Sequence, residues 1–297
     1  MKLEGIYAPI PTPFNKETID YALLKQNLEK WEKTSLTGLV VLGSNGEFVL
    51  LDEEEKIKLT AFVRDNFPTT RPVIAGTGCE STRATIRLTE KCANLGVDAV
   101  LVITPSYYQG SMTDEALKHF FLEVADASPV PVILYNMPRN TGINMSVPLV
   151  VELSKHQNIA GIKDSSGNIV QIAGIIAGSA SNFSVFAGSG NFLYPSLCLG
   201  ATGGTLAVAN ILPDKCSRIV EFYNNGRLAE AKNLQLEILE INAAVTSRWG
   251  VAGLKAAMEM SGYYGGEVRK PLQDLSMKNK DELKEIINKL KLQNEQT

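Results

Sequence analysis

Histidine is scarce: the 297 residues contain two, His119 and His156. Four cysteines, Cys79, Cys92, Cys198 and Cys216, form no CxxC pair. A Cys/His zinc site needs closely spaced ligands, so none is expected. Scattered thiols fit a reducing, cytoplasmic setting. Lys and Arg number 29 against 32 Asp and Glu, for a net charge of −3, and no basic block occurs. That argues against nucleic acid as a partner. No apolar stretch approaches the ~20 residues that cross a bilayer, so no membrane association is expected. Met1 to Ile6 run straight into a strand-like segment, with neither a secretory nor a transit-peptide pattern. A cytoplasmic protein is therefore the expectation.

What the chain does have is apolar runs at regular intervals, within a composition that is 44% hydrophobic. They fall at 6–10, 38–42, 73–76, 99–103, 132–135, 160–163, 184–188 and 201–208. Several, such as Ala99-Val100-Leu101-Val102-Ile103, are apolar without alternation. A strand buried on both faces reads this way, which points to a parallel sheet. The spacers have helical patterns. Leu24, Leu28 and Trp31 share one helical face, and Asp52 with Glu55 makes a capping box before a helix that stops ahead of Pro68. Strands alternating with helices in eight units predict an α/β fold, a (β/α)8 TIM barrel. A doubly wound sheet would not usually need eight consecutive units. After Val208 the strand signals stop, and Leu283, Ile286, Ile287 and Leu290 repeat at helical spacing. We therefore expect a catalytic barrel over residues 1–225 and a small helical C-terminal extension over 226–297.

Polar residues gather where these strands end. The sixth run closes on Lys163, followed at once by Asp164-Ser165-Ser166-Gly167. Carboxyl ends of barrel strands are where such folds build their chemistry. An amine in apolar surroundings loses part of its preference for the charged form and, once neutral, attacks a ketone. A strand-end lysine can also simply snorkel to water. The fifth run ends on Tyr135, one βα unit earlier and at an equivalent position. Its phenol either stands beside the amine or bonds to backbone. Gly43-Ser44-Asn45-Gly46-Glu47 follows the second run. Such a turn can aim several N–H groups at a carboxylate, or it is a plain turn before a helix. Tyr107 and Tyr108 lie on the loop after the fourth run, where packing is the default for at least one of them. Gly188-Ser189-Gly190 after the seventh run allows close backbone approach. An amine, a proton relay and a carboxylate cradle are the parts that Schiff-base chemistry requires.

These residues resemble, in order, the motifs of the dihydrodipicolinate synthase/N-acetylneuraminate lyase family of class I, pyruvate-dependent aldolases, from about Gly5 to Leu275. The resemblance implies Lys163 as the Schiff-base lysine and Tyr135 as the acid/base. It implies that Ser44 and Asn45 bind the pyruvyl carboxylate, with Ser44 relaying protons. It further implies that Tyr107 is a relay tyrosine inserted into a neighbouring subunit, and that backbone at Gly188 lines the substrate pocket. A homo-oligomer, a tetramer built from dimers, is expected on the same ground.

Two departures narrow the choice. The turn carries Ser44-Asn45 where synthases usually have two hydroxyl residues. Asn140 occupies the position of the synthase arginine that holds the aspartate-semialdehyde carboxylate, and the nearest arginine is Arg139. A one-residue shift re-aims a long side chain, which weakens the synthase reading. Gly43–Glu47, Gly76–Thr82, Asn140–Gly142, Asn242–Thr246 and Gly262–Gly266 resemble the 4-hydroxy-2-oxoglutarate aldolase branch. That branch splits 4-hydroxy-2-oxoglutarate into pyruvate and glyoxylate. The protonated imine is then the electron sink, so neither cofactor nor metal is expected. Alternatives are the synthase, a 2-keto-3-deoxy sugar-acid aldolase, a deaminase or dehydratase using the same imine, and a catalytically silent pyruvate-binding sensor. Retention of both Lys163 and Tyr135 disfavours the sensor. The shortage of histidines disfavours a metal-dependent aldolase.

Overall fold

The computed structural model describes residues 3–295. Eight strands close into a barrel: β1 (Gly5–Pro9), β2 (Gly38–Val41), β3 (Val73–Gly76), β4 (Ala99–Ile103), β5 (Val132–Asn136), β6 (Ile159–Asp164), β7 (Ser184–Ala187) and β8 (Gly203–Thr205). Each strand pairs in parallel with the next, and β8 returns to β1. A short hairpin, Phe14–Asn15 with Thr18–Ile19, follows β1.

The unbroken apolar runs are explained by two cores on either side of one sheet. Tyr7, Val40, Ile74, Leu101, Ile133, Tyr135 and Phe186 form the inner cluster, with the Tyr7 and Phe186 rings 5.5 Å apart. Their neighbours Leu39, Val41, Val73, Val100, Val102, Val132 and Leu134 join the larger cluster beneath the helices. Fully burying one such side chain contributes about 1.5–3 kcal/mol. A polar residue at one of these positions is therefore costly unless it has a function or a partner.

The helices begin where the caps predict. Asp20 accepts from Leu23 N at the start of Tyr21–Glu32, which buries Leu24, Leu28 and Trp31. Asp52 and Glu55 form the capping box of Glu53–Asp65. The last strand is shorter than its apolar run suggests. Beyond Leu206 the chain turns into a tight 3-10 segment, Ala207–Asn210. Buried Asn210 draws it inward by donating to the carbonyls of Pro9 and Ala207, and its own carbonyl accepts the Trp31 indole N–H.

The chain after β8 is helical: Pro213–Asn224, Leu228–Glu237, Leu239–Ala243, Gly250–Met260 and Met277–Glu295, with a π-helical turn at Ala244–Arg248. Leu283, Ile286, Ile287 and Leu290 are buried in the same cluster as the outer barrel face. Among the described residues, no helix is long and apolar enough to cross a membrane.

Candidate active site

Tyr135 and Lys163 are direct register partners on β5 and β6, and Phe186 of β7 follows Lys163. Both side chains are 4% exposed, so each is all but enclosed. Lys163 Nζ lies 4.2 Å from the centre of the Tyr135 ring. The Tyr135 hydroxyl in turn shares a 3.3 Å hydrogen bond with Ser44 Oγ from the turn after β2. Three of the candidate residues, from three strand ends, thus form one contiguous line.

Alternation explains how this line is held. Tyr135 and Lys163 sit on the inner side, so the next residues, Asn136 and Asp164, fall on the outer side. There the Asp164 carboxylate accepts from Asn136 Nδ2 at 2.8 Å, Gln171 Nε2 at 3.4 Å and Ser166 N at 2.9 Å. Asn136 also donates to Asn144 Oδ1 and accepts from Met145 N. A satisfied, buried polar network behind two adjacent strand ends fixes their relative height. That fixes the distance between amine and phenol.

Gly188 follows β7 and donates its N–H to the Asp164 carbonyl at 2.7 Å. A Cβ there would fall 1.9 Å from Ser165 Oγ, so only glycine permits this approach. Ser165 Oγ is buried and has no hydrogen-bond partner among the described residues. Sequence reasoning passed over Ser165, although its place two residues after Lys163 was a signal. Gly190 N is held by the side chain of buried Asn242, which also donates to Ser189 Oγ and Asn191 Oδ1.

The remaining candidates stand apart from the line. Asn45 is half-buried beside Ser44, and its side chain makes no hydrogen bond among the described residues. Asn140 and Arg139 are exposed on the short helix Pro138–Thr141. Arg139 Nη2 donates to the Ser247 carbonyl at 3.0 Å. Tyr107 is 79% and Tyr108 71% exposed, their rings in edge contact at 5.0 Å. Neither packs into the core of its own chain, contrary to the default for such residues. The backbone beneath them is anchored by Glu80, whose carboxylate accepts from Ser106 N and Tyr107 N, both at 2.9 Å.

Among the described residues, no group of three or more His, Cys, Asp or Glu side chains is placed to hold a metal ion. A surface cavity of about 360 Å³ lies at the opposite, amino-terminal end of the barrel, lined by Asp126, His156 and Asn158. It contains neither a lysine nor a tyrosine.

A (β/α)8 barrel that gathers an amine, a phenol and a hydroxyl at its carboxyl mouth has the parts of a lysine-dependent carbon–carbon lyase. Residues 2–290 match the model of the dihydrodipicolinate synthetase family. The chain is 37% identical over 290 residues to a probable mitochondrial 4-hydroxy-2-oxoglutarate aldolase of Emericella nidulans, covering 96% of this chain and 94% of that one. It is 33% identical over 287 residues to the 4-hydroxy-tetrahydrodipicolinate synthase of Thermoanaerobacter sp. strain X514, covering 96% of each. A prophage protein of the dihydrodipicolinic acid synthase family from E. coli K12, solved in complex with pyruvate, superposes with a TM-score of 0.92 at 29% identity. That likeness covers 97% of this chain and 99% of the other. The chain belongs to the dihydrodipicolinate synthetase family and is a pyruvate-dependent class I aldolase, a carbon–carbon lyase.

Proposed function

We propose that the enzyme cleaves 4-hydroxy-2-oxo acids through a Schiff base on Lys163, with 4-hydroxy-2-oxoglutarate as substrate and pyruvate and glyoxylate as products. The observation that carries this reading is the line from Lys163 through the Tyr135 ring to Ser44. The Lys163 amine attacks the C2 ketone, and loss of water gives the protonated imine. Tyr135 takes the proton of the C4 hydroxyl as the C3–C4 bond breaks. The bond's electrons move into the imine and leave an enamine, while C4 departs as the aldehyde of glyoxylate. Protonation of the enamine at C3 and hydrolysis release pyruvate and restore the amine. The turn at Ser44 and Asn45 holds the C1 carboxylate, with Ser44 passing protons to and from Tyr135. Backbone at Gly188 lines the pocket.

Two observations favour glyoxylate over aspartate semialdehyde as the aldehyde. Asn140 lacks the charge that synthases aim at the carboxylate of aspartate semialdehyde, whereas glyoxylate is small and its carboxylate can accept hydrogen bonds from Ser44, Asn45 or Asn140; the neighbouring Arg139 is already engaged with the Ser247 carbonyl. The identity to the Emericella nidulans protein points the same way. A panel of aldehydes assayed with pyruvate tests the assignment. Glyoxylate should give the highest kcat/KM. A preference for aspartate semialdehyde would make the enzyme a synthase, and a preference for polyhydroxylated aldehydes would make it a sugar-acid aldolase.

The exposed pair Tyr107 and Tyr108 supports a homotetramer in which Tyr107 completes the relay of a neighbouring subunit.

A further inference from the structure

Glu47 closes the turn that carries Ser44 and Asn45, and its side chain leaves that turn for a different part of the chain. The carboxylate is 1% exposed. Its Oε1 lies 2.5 Å from Lys255 Nζ, whose side chain is 2% exposed. Its Oε2 accepts the Arg269 backbone N–H at 2.8 Å. Lys255 belongs to the helix Gly250–Met260, donates to the Glu267 carbonyl at 2.5 Å, and lies 4.6 Å from the Phe14 ring centre. Arg269 lies 4.3 Å from the centre of the same ring and forks onto both oxygens of Glu55, each at 2.6 Å.

The backbone of the turn needs such an anchor. Leu42 and Glu47 flank it, and both have left-handed φ, 59° and 56°. Side-chain-bearing residues hold that conformation only where the surroundings over-determine it. Inside the turn the bonds are local: Gly46 N to the Gly43 carbonyl at 2.9 Å and Glu47 N to the Ser44 carbonyl at 3.1 Å. Thr12 Oγ1 holds the Gly46 carbonyl at 2.7 Å. A buried ion pair is a weak source of net stability, because desolvation offsets most of the attraction. What it does supply is a fixed position.

We propose that the buried Glu47–Lys255 pair is a positioning device that holds the Ser44–Asn45 turn in the shape that receives the pyruvyl carboxylate. The inference rests on the reading that this turn binds that carboxylate and that Lys163 forms the imine. It makes the helical C-terminal segment a working part of the site. That segment also reaches the loop after β7 through Asn242 and the helix after β5 through the Ser247 carbonyl. Neither Glu47 nor Lys255 touches the reacting atoms; both act through the turn.

The test compares two ketones that trap on the same lysine under borohydride: pyruvate, which has the carboxylate, and acetone, which lacks it. In the wild type, half-saturating pyruvate should be far below half-saturating acetone. Glu47→Gln should raise the pyruvate value at least about 10-fold and leave the acetone value unchanged. The double variant Glu47→Gln/Lys255→Met removes both charges at similar volume, so it should fold even where the single variant does not. It should lose the pyruvate preference equally. A folded variant that keeps the wild-type ratio overturns the proposal, as does an equal change for both ketones. Failure of every variant to fold also overturns it, since the pair is then purely structural. If the wild type itself traps no ketone on Lys163, the proposed function fails first, and the two failures are told apart.

Discussion

Lys163 Nζ stands 4.2 Å from the centre of the Tyr135 ring, and Tyr135 reaches Ser44 at 3.3 Å, so the phenol bridges the amine and the turn that follows β2. A bridging phenol can serve both the imine and the substrate hydroxyl. Tyr135→Phe deletes one oxygen and little volume, so the barrel should fold. Loss of a positioned acid/base group costs about 10²–10⁴ in rate. Steady-state cleavage assays should show kcat falling by that factor. Near-normal turnover would make the phenol structural.

The outer network behind this pair has a separate prediction. Asp164→Ala leaves one N–H of the Asn136 amide and the Ser166 N–H without their shared acceptor, while Gln171 keeps Asn144 Oδ1 and the Met145 carbonyl. Each buried donor left unsatisfied costs roughly 1–3 kcal/mol. Denaturant unfolding should show a loss of at least that size. Unchanged stability would mean that water replaces the carboxylate.

Stability against pH should show the Glu55–Arg269 pair. Bonding to the Arg269 guanidinium holds the Glu55 carboxyl below its ordinary value of 4.5, against a smaller opposing effect of burial. The unfolded state therefore binds the proton first as pH falls. The pair's contribution is fully present above the ordinary value and is lost as pH drops through the lowered folded value. Glu55→Gln should be less stable than wild type at neutral pH, and the two melting curves should converge as pH falls below the ordinary carboxyl value and through the lowered folded one. A gap that stays constant across the range would show that the charge is not the source of the effect.

The barrel was legible because both faces of each strand are buried, which writes the strands as plain apolar runs. Lys163 and Tyr135 stood out as single polar groups closing such runs. Glu47 and Lys255 did not, since a charged residue after a turn and a lysine in a helix each look solvent-facing. Only folding brings these distant positions to 2.5 Å. Asp164 was hidden in the same way, as an acid in what reads as a polar turn. The apolar run at 201–208 outlasts its strand because Ala207 and Val208 are buried in a turn rather than in the sheet.

Oligomeric state is tested by sedimentation. The exposed Tyr107 and Tyr108 should be covered in a tetramer, and Tyr107→Phe should slow turnover without changing assembly, as a relay hydroxyl shared across subunits requires. A fully active monomer contradicts this.

Asn140→Arg should move substrate preference toward aspartate semialdehyde. A charge-assisted contact restored at that position is worth about 1.5–3 kcal/mol, or roughly 10- to 150-fold in kcat/KM. No gain would show that the position does not face the second carboxylate.

The central claim is that Lys163 is the nucleophile, and chemical trapping tests it most directly. Incubation with pyruvate and borohydride, followed by peptide mass analysis, should find one reduced pyruvyl group per chain, on Lys163. Lys163→Ala should take up none and should not turn over. Label on another lysine, or none on the wild type, would contradict the account.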